Sequence, residues 1–134
     1  MNKTIGFLIT ICMLLTFEGC AQNGKQNLGT KKAEYHKISE EEAKKMLDGN
    51  PNAILLDVRS ETEFNYNHIV GAISFPLPEI EANAANRLPD KTALILVYCR
   101  SGVRSKAAAN LLVSMGYTNV YDIGGIISWP YATE

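Results

Sequence analysis

Two arginines and a glycine closely follow a cysteine in the segment CRSGVRS, residues 99–105. The thiolate is the reactive form of cysteine, and nearby cations or N–H groups favour it over the thiol. Arg100 and Arg104 also carry planar forks of N–H donors that suit oxyanions. These residue types predict a nucleophilic thiol, Cys99, that meets an anionic substrate. The alternative is that Cys99 is a small buried side chain with no chemistry.

The same segment lies between a predicted strand and a predicted helix. Residues 93–99 (ALILVYC) form a continuous apolar run, which is typical of a strand buried on both faces. Residues 103–115 predict a helix whose apolar face is formed by Val103, Ala107, Leu111 and Met115, with Ala108 and Leu112 alongside. Gly116 follows where a glycine cap is expected.

The main-chain N–H groups of this loop are expected to be the main activator of Cys99. Where a strand turns into a helix N-terminus, N–H groups converge and can bind an anion. A hydrogen bond to a charged acceptor is worth ~1.5–3 kcal/mol, whereas a helix N-terminus alone contributes ~0.3–1 kcal/mol. Gly102 permits the tight turn that this arrangement needs. Ser101 and Ser105 either add hydroxyl donors or act only as helix-start residues.

Strands and helices alternate along residues 34–134. Glycine, proline and a capping box of Ser39 and Glu42 mark element boundaries. The predicted strands are residues 35–38, 53–58, 72–75, 93–99 and 119–123, and the predicted helices start at Ser39, Pro78 and Val103 and end near Gly49, Arg87 and Met115. This order predicts an α/β fold with a mostly parallel sheet, helices on both faces and a site at the carboxyl ends of the strands.

The N-terminus has the pattern of a secretory signal. A lysine precedes the 13-residue apolar run Ile5–Phe17, which is shorter than the ~20 residues of a membrane-spanning helix. Gly19 and Cys20 resemble the end of a bacterial lipobox, which predicts a signal peptide over residues 1–20 and a lipid on Cys20. The alternative is ordinary cleavage after Ala21. In both cases we expect the protein outside the cytoplasm, in the periplasm or on a membrane surface.

The residues between this signal and the folded domain predict a flexible tether. Residues 21–33 hold three lysines and no acidic or aromatic side chain. The domain that follows, residues 34–134, has nine Lys and Arg against thirteen Asp and Glu, a charge near −4. This acidic balance argues against a nucleic-acid partner.

Cysteine and histidine placement limits the chemistry further. Cys12 and Cys20 precede the domain, so Cys99 is its one thiol and a disulfide framework is excluded. The two histidines, His36 and His68, lack the spacing of a metal site. No metal or organic cofactor is therefore expected.

Three segments of the chain resemble the single-domain rhodanese, or thiosulfate sulfurtransferase, family. They are LLDVRSETEFNYNHIVGAISFPL at residues 55–77, CRSGVRS, and GGIISWP at residues 124–130, in the family's order. The resemblance spans about 100 residues, from Tyr35 to Tyr131. It departs from the family pattern at Asn67, where the family usually has glycine before His-Ile.

The resemblance implies a three-layer α/β/α fold with a mostly parallel five-stranded sheet. It also implies a persulfide on the nucleophile Cys99. The implied substrate-binding cradle is the rest of the loop: Arg100, Ser101, Gly102, Val103 and Arg104. The implied reaction moves sulfane sulfur from thiosulfate or a similar donor to a thiophilic acceptor such as cyanide or a thiol.

The length of the loop favours a sulfurtransferase over the phosphatases that share the same fold. Those enzymes place five residues between cysteine and arginine, whereas four separate Cys99 from Arg104. The shorter ring suits the outer sulfur of a persulfide better than a tetrahedral phosphate or arsenate. An alternative function is a non-catalytic persulfide carrier that passes sulfur to a partner protein. The expected partners are small sulfur anions and thiols, and the sequence identifies no acceptor protein.

Four other groups of residues receive structural interpretations. Asp57, Arg59 and Glu63 are expected to form an ion-pair cluster at a strand end. His68 is expected to be a hydrogen-bonded packing residue, and Trp129 to close the core. Tyr98 should lie on the opposite face of its strand from Cys99.

The predicted lipid anchor can be tested directly. We expect the native protein to partition into detergent and the Cys20→Ala variant to remain in the aqueous phase. The measurement is phase separation of cell extracts followed by immunoblotting. An aqueous wild-type protein would favour cleavage after Ala21 instead.

Overall fold

The structure, a computed structural model, describes residues 32–134. The predicted signal peptide, Cys20 and the tether up to residue 31 lie outside the described residues, so their assignments stay predictions. Within the described part, none of the helices has the length and apolar character needed to cross a membrane.

Five parallel strands form one sheet with the spatial order β1-β5-β4-β2-β3. The strands are β1 (His36–Lys37), β2 (Ile54–Asp57), β3 (Ile73–Ser74), β4 (Ile95–Cys99) and β5 (Val120–Gly125). The helices are α1 (Glu40–Gly49), α2 (Glu61–Tyr66), α3 (Leu77–Arg87) and α4 (Val103–Ser114), and a 3₁₀ turn follows at Ile126–Ser128. The predicted parallel α/β fold is confirmed.

The central strand β4 separates two apolar clusters. Ile95, Val97 and Cys99 face one cluster, which includes side chains of α3 and α4. Leu96 and Tyr98 face the other, which includes side chains of α1. The two-residue period of a strand places successive side chains on opposite faces of the sheet. Because helices cover both faces, all five side chains of β4 are buried. The expectation that Tyr98 and Cys99 face opposite sides is confirmed.

Capping boxes lie at the N-termini of two helices, α1 and α2. In the predicted one, the Ser39 hydroxyl accepts the Glu42 N–H at 3.2 Å and Glu42 Oε2 accepts the Ser39 N–H at 3.1 Å. Ser60 and Glu63 form a second box at the start of α2. Helix α2 was not predicted, although the segment SETE carries the capping-box pattern.

Helix α4 is present as predicted. Its predicted apolar face is confirmed at Ala108, Leu111, Leu112 and Met115, which lie in or against the core, and is wrong at Val103 and Ala107, which are exposed. The buried side chains are Ser105, Ala108, Ala109 and Leu112, whereas Val103 is 77% exposed. A helix that is apolar on several sides does not define its buried face by periodicity alone. The Gly116 cap is confirmed: this residue has φ +97°, and the following Tyr117 N–H reaches the Leu112 carbonyl at 3.1 Å.

Candidate active site

Cys99 ends β4 and lies at the bottom of the loop that leads into α4. The residue is 1% exposed. The Gly102 N–H points at its Sγ with an N–S distance of 3.0 Å. Gly102 has φ +102°, a conformation that favours glycine, so the predicted tight turn is confirmed. The chain therefore folds back over the sulfur and presents a main-chain donor to it.

Ser105 is the second group on the sulfur. Its Oγ lies 3.7 Å from Cys99 Sγ, and it donates to main-chain oxygen of Gly102 at 3.1 Å or Gly124 at 3.3 Å. A hydroxyl has one proton and can rotate. It can therefore accept from the thiol while bonded to a carbonyl, and donate to the thiolate after rotation.

The surroundings of Cys99 favour its thiolate. Burial raises the pKa of Cys99, but the N–H groups of Ser105 and Gly102, the Ser105 hydroxyl and the Ser101 N–H together outweigh burial, so the pKa lies below its ordinary value. Burial disfavours any charged form, and hydrogen bonds to the anion favour it. Main-chain donors are thus the leading favourable influence on the thiolate, and Ser105, buried on α4, supplies one of them.

Two glycines of β5 form the support beneath the loop. A Cβ on Gly125 would overlap the Arg100 carbonyl oxygen and lie 2.7 Å from Ser101 Cα. A Cβ on Gly102 would lie 3.6 Å from Gly124 Cα. The loop therefore packs directly against the backbone of β5, and only glycine at position 125 leaves room for it.

Buried Asp122 fixes the bend of β5 at these glycines. Its Oδ1 accepts the Gly124 N–H at 2.9 Å, and its Oδ2 lies 3.5 Å from Lys37 Nζ. Gly124 has φ +88°. The carboxylate thus holds the backbone turn against which Gly102 packs.

Arg104, in the first turn of α4, binds Glu63 in the first turn of α2. Its two terminal nitrogens donate to the two carboxylate oxygens at 2.7 and 2.9 Å. Hydrogen bonds from Arg104, and then from the Ser60 N–H and hydroxyl, outweigh burial and together lower the pKa of Glu63 to about 2. Glu63 therefore remains ionised at neutral pH and anchors Arg104 to α2.

This ion pair corrects one prediction. Asp57 and Arg59 do pair, with an Nη2–Oδ2 distance of 2.6 Å and both side chains buried. Glu63, however, binds Arg104 instead of joining them. The reason is the unpredicted helix α2, whose capping box directs Glu63 toward the loop.

Arg100, the residue after Cys99, forms no ion pair among residues 32–134 of the structure. Its side chain is exposed. It lines a cleft of about 510 Å³ with Tyr66 of α2 and Ile127 of the 3₁₀ turn. The loop of Cys99 therefore opens beside a sizeable cleft through Arg100.

His68 has the predicted packing role. Its Nδ1 lies 2.9 Å from the Phe64 carbonyl oxygen, and its ring stacks on Phe64 at a centroid distance of 3.8 Å. The residues that the structure describes contain no group of three metal-ligating side chains.

Asn67 has φ −164°, which any residue adopts, so glycine is not required there. Trp129 packs on the core cluster of α1, as predicted.

Comparison with known proteins identifies the family. The sequence profile of the Rhodanese-like domain matches residues 39–130, so the chain belongs to the rhodanese-like family. It is 39% identical over 71 residues to thiosulfate sulfurtransferase PspE of Escherichia coli (strain K12), and this alignment covers 53% of this chain and 68% of that protein. It is 34% identical over 98 residues to putative sulfur carrier protein YrkF of Bacillus subtilis (strain 168), covering 72% of this chain and 52% of that protein.

A solved structure confirms the fold. The rhodanese-like domain of the Alr3790 protein from Anabaena sp. superposes with a TM-score of 0.68 and 31% sequence identity, over 73% of this chain and 77% of that one. With the relatives above, this places the protein in the rhodanese class of sulfurtransferases and sulfur carriers. The fold and family that the three sequence motifs predicted are confirmed.

Three features of the site were not predicted from the sequence. Glu63 was assigned to the wrong ion pair, and its true partner Arg104 is 41 residues away. The support that Gly124 and Gly125 give to the loop depends on strand packing, and its only sequence signal is the glycine pair itself. The contact of Ser105 with the sulfur was left open.

Gly125→Ala tests the support under the loop. The new Cβ overlaps the Arg100 carbonyl, so we expect a loss of about 1–3 kcal/mol in the free energy of unfolding, as for other overpacked sites, and a displaced Cys99 loop. Urea unfolding measures the first, and the amide chemical shift of Gly102 the second. Gly49→Ala is the matched control, since a Cβ there meets nothing within 4 Å. Equal effects of both changes would contradict this role of Gly125.

Proposed function

We propose that the protein is a sulfurtransferase that moves sulfane sulfur from thiosulfate or a similar donor to a thiophilic acceptor through a Cys99 persulfide. The observation that carries the proposal is the Gly102 N–H directed at the buried Sγ at 3.0 Å. The same donors that favour a thiolate can hold the outer sulfur of a persulfide anion.

The proposed reaction is a double displacement. The Cys99 thiolate attacks the outer sulfur of thiosulfate, the sulfur–sulfur bond of the donor breaks, and sulfite leaves with the bonding electrons. Cys99 then carries one additional sulfur atom. Cyanide or a thiolate attacks that sulfur, the persulfide bond breaks, and the Cys99 thiolate is regenerated. Neither step needs a metal or an organic cofactor.

The loop residues have separate roles in this proposal. The main chain of Ser101, Gly102 and Val103 surrounds the transferred sulfur. The side chain of Arg100 attracts the anionic donor and stabilises charge on the leaving group. Arg104 adds positive potential at the other end of the loop and is oriented by Glu63.

A persulfide carrier is the second candidate function. The relative named as a putative sulfur carrier protein supports it, and the chain spans about half the length of that protein. A carrier would use the same Cys99 persulfide but deliver its sulfur to a partner protein, with little turnover on cyanide.

The proposed site of action is outside the cytoplasm. Its support is the signal-like pattern of residues 1–20 and the cysteine at position 20. A lipid on Cys20 would hold the domain at a membrane surface by the tether of residues 21–33.

Thiocyanate formation from thiosulfate and cyanide tests the proposed function. We expect turnover by the wild-type protein, and a mass increase of one sulfur atom on the Cys99 peptide when cyanide is omitted. Cys99→Ser should abolish both signals, because the transferred sulfur has no other acceptor in the mechanism. Glu61→Gln, an exposed change on α2, is the control and should retain both.

The outcomes separate the candidate functions. A sulfur adduct on Cys99 without thiocyanate turnover would favour the carrier. Normal turnover in Cys99→Ser would remove Cys99 from the mechanism and contradict both candidates.

A further inference from the structure

Among the described residues, one arginine beside the Cys99 loop has no ion-pair partner. The loop and the adjoining cleft contain three arginines, and two of them are neutralised within the fold. Arg59 is paired with Asp57 at 2.6 Å, and Arg104 is paired with Glu63 at 2.7 Å. Arg100 has no carboxylate partner in the described part of the chain. The site therefore presents about one positive charge to an incoming donor.

The ion pair between Arg104 and Glu63 affects which sulfur donors the site favours. Both of its terminal nitrogens are occupied by the two oxygens of one carboxylate, and that carboxylate is itself fixed by the Ser60 N–H at 2.9 Å. A second oxyanion could use the same fork only by breaking two charge-assisted hydrogen bonds. A compact dianion such as thiosulfate consequently meets one guanidinium, that of Arg100, whose charge is not already offset by a carboxylate.

The cleft beside Arg100 has the size of a site for an organic molecule, and its wall combines charged side chains, among them Arg59 and the paired Glu63, with apolar ones. Its volume is about 510 Å³, within the ~300–1,000 Å³ that is typical of sites for drug-sized ligands. Two apolar side chains on its wall are exposed, Tyr66 by 88% and Ile127 by 70%. A small inorganic ion gains nothing from such a wall, whereas an organic group buries apolar surface against it.

We infer that the preferred sulfur donor is an organic persulfide that bears one carboxylate, rather than thiosulfate. The carboxylate binds Arg100, the organic group lies against Tyr66 and Ile127, and the terminal sulfur reaches Cys99. Glu63 is a specificity-determining residue, because it withholds Arg104 from a second negative charge. The inference rests on the proposed function and specifies its donor.

The transfer step balances without an added reagent. The Cys99 thiolate attacks the terminal sulfur of the donor R–S–SH, and a bond forms between the two sulfurs. The donor's sulfur–sulfur bond breaks, and R–S⁻ leaves with the electron pair. The terminal proton remains on the transferred sulfur. No net oxidation or reduction takes place.

Donor competition on the full-length protein tests the inference. The probes are thiosulfate, the persulfide of N-acetylcysteine, and the persulfide of N-acetylcysteine amide, which lacks the carboxylate. The measured quantity is the second-order rate constant for addition of one sulfur atom to Cys99, followed by mass spectrometry. We expect N-acetylcysteine persulfide to exceed thiosulfate by about tenfold or more, and the amide to lose about fivefold, as for a partly exposed charge pair.

Two variants locate the cause of the preference. Glu63→Gln keeps the capping box, since glutamine can replace glutamate there, but removes the charge that holds Arg104. It should shift the ratio of rate constants about fivefold toward thiosulfate. Ile127→Ala should shift the ratio in the same direction by weakening organic donors. The matched controls, Glu61→Gln on the same helix and Ile73→Ala at another exposed site, should leave the ratio unchanged.

The inference and the proposed function fail differently. Faster loading by thiosulfate in the wild type would overturn the inference alone, as would a Glu63→Gln ratio equal to that of Glu61→Gln. A purely structural role of Glu63 would change all donors by one factor and leave the ratio fixed. If no donor adds sulfur to Cys99, the proposed function fails and the inference fails with it.

Discussion

Burial is the largest influence against the thiolate of Cys99, and the Gly102 N–H that points at the Cys99 sulfur opposes it. A sulfur that is 1% exposed would ordinarily be an inert thiol, because low polarity disfavours the anion. The hydrogen bonds from Gly102, Ser105 and Ser101 reverse that tendency. Burial then becomes an advantage, since a persulfide shielded from water is protected from side reactions. The reactivity of the site thus depends on main-chain geometry more than on any single side chain.

The rest of the fold maintains that geometry from two sides. Below the loop, the backbone of β5 approaches so closely that Gly125 admits no side chain beneath Arg100. At the end of the loop, Arg104 is fastened to α2 through Glu63. The same ion pair that orients the loop also removes a cation from it. Structural anchoring and donor selection are therefore set by one interaction, and Arg100 remains as the accessible charge.

Local signals allowed most of the framework to be predicted, and tertiary contacts account for what was missed. The apolar run of β4, the Ser39 capping box and the loop after Cys99 are short-range patterns. Helix α2 has six residues and none of them is buried, so it has no periodicity to detect. The pairing of Glu63 with Arg104 spans 41 positions and depends on how α2 is placed. On α4, Val103 and Ala107 were wrongly placed on the buried face, because apolar residues on several sides of a helix leave its buried face undefined by periodicity.

The most direct test of this account is the ionisation of Cys99 itself. Thiolate ultraviolet absorbance should be recorded against pH, with Cys99→Ser subtracted to remove tyrosine and the other thiols. The account predicts a pKa below the ~8.5 of an unperturbed cysteine, and a rise of that pKa in Ser105→Ala, where one donor to the thiolate is lost. A wild-type pKa at or above the unperturbed value would contradict the claim that main-chain and hydroxyl donors favour the thiolate of this buried residue.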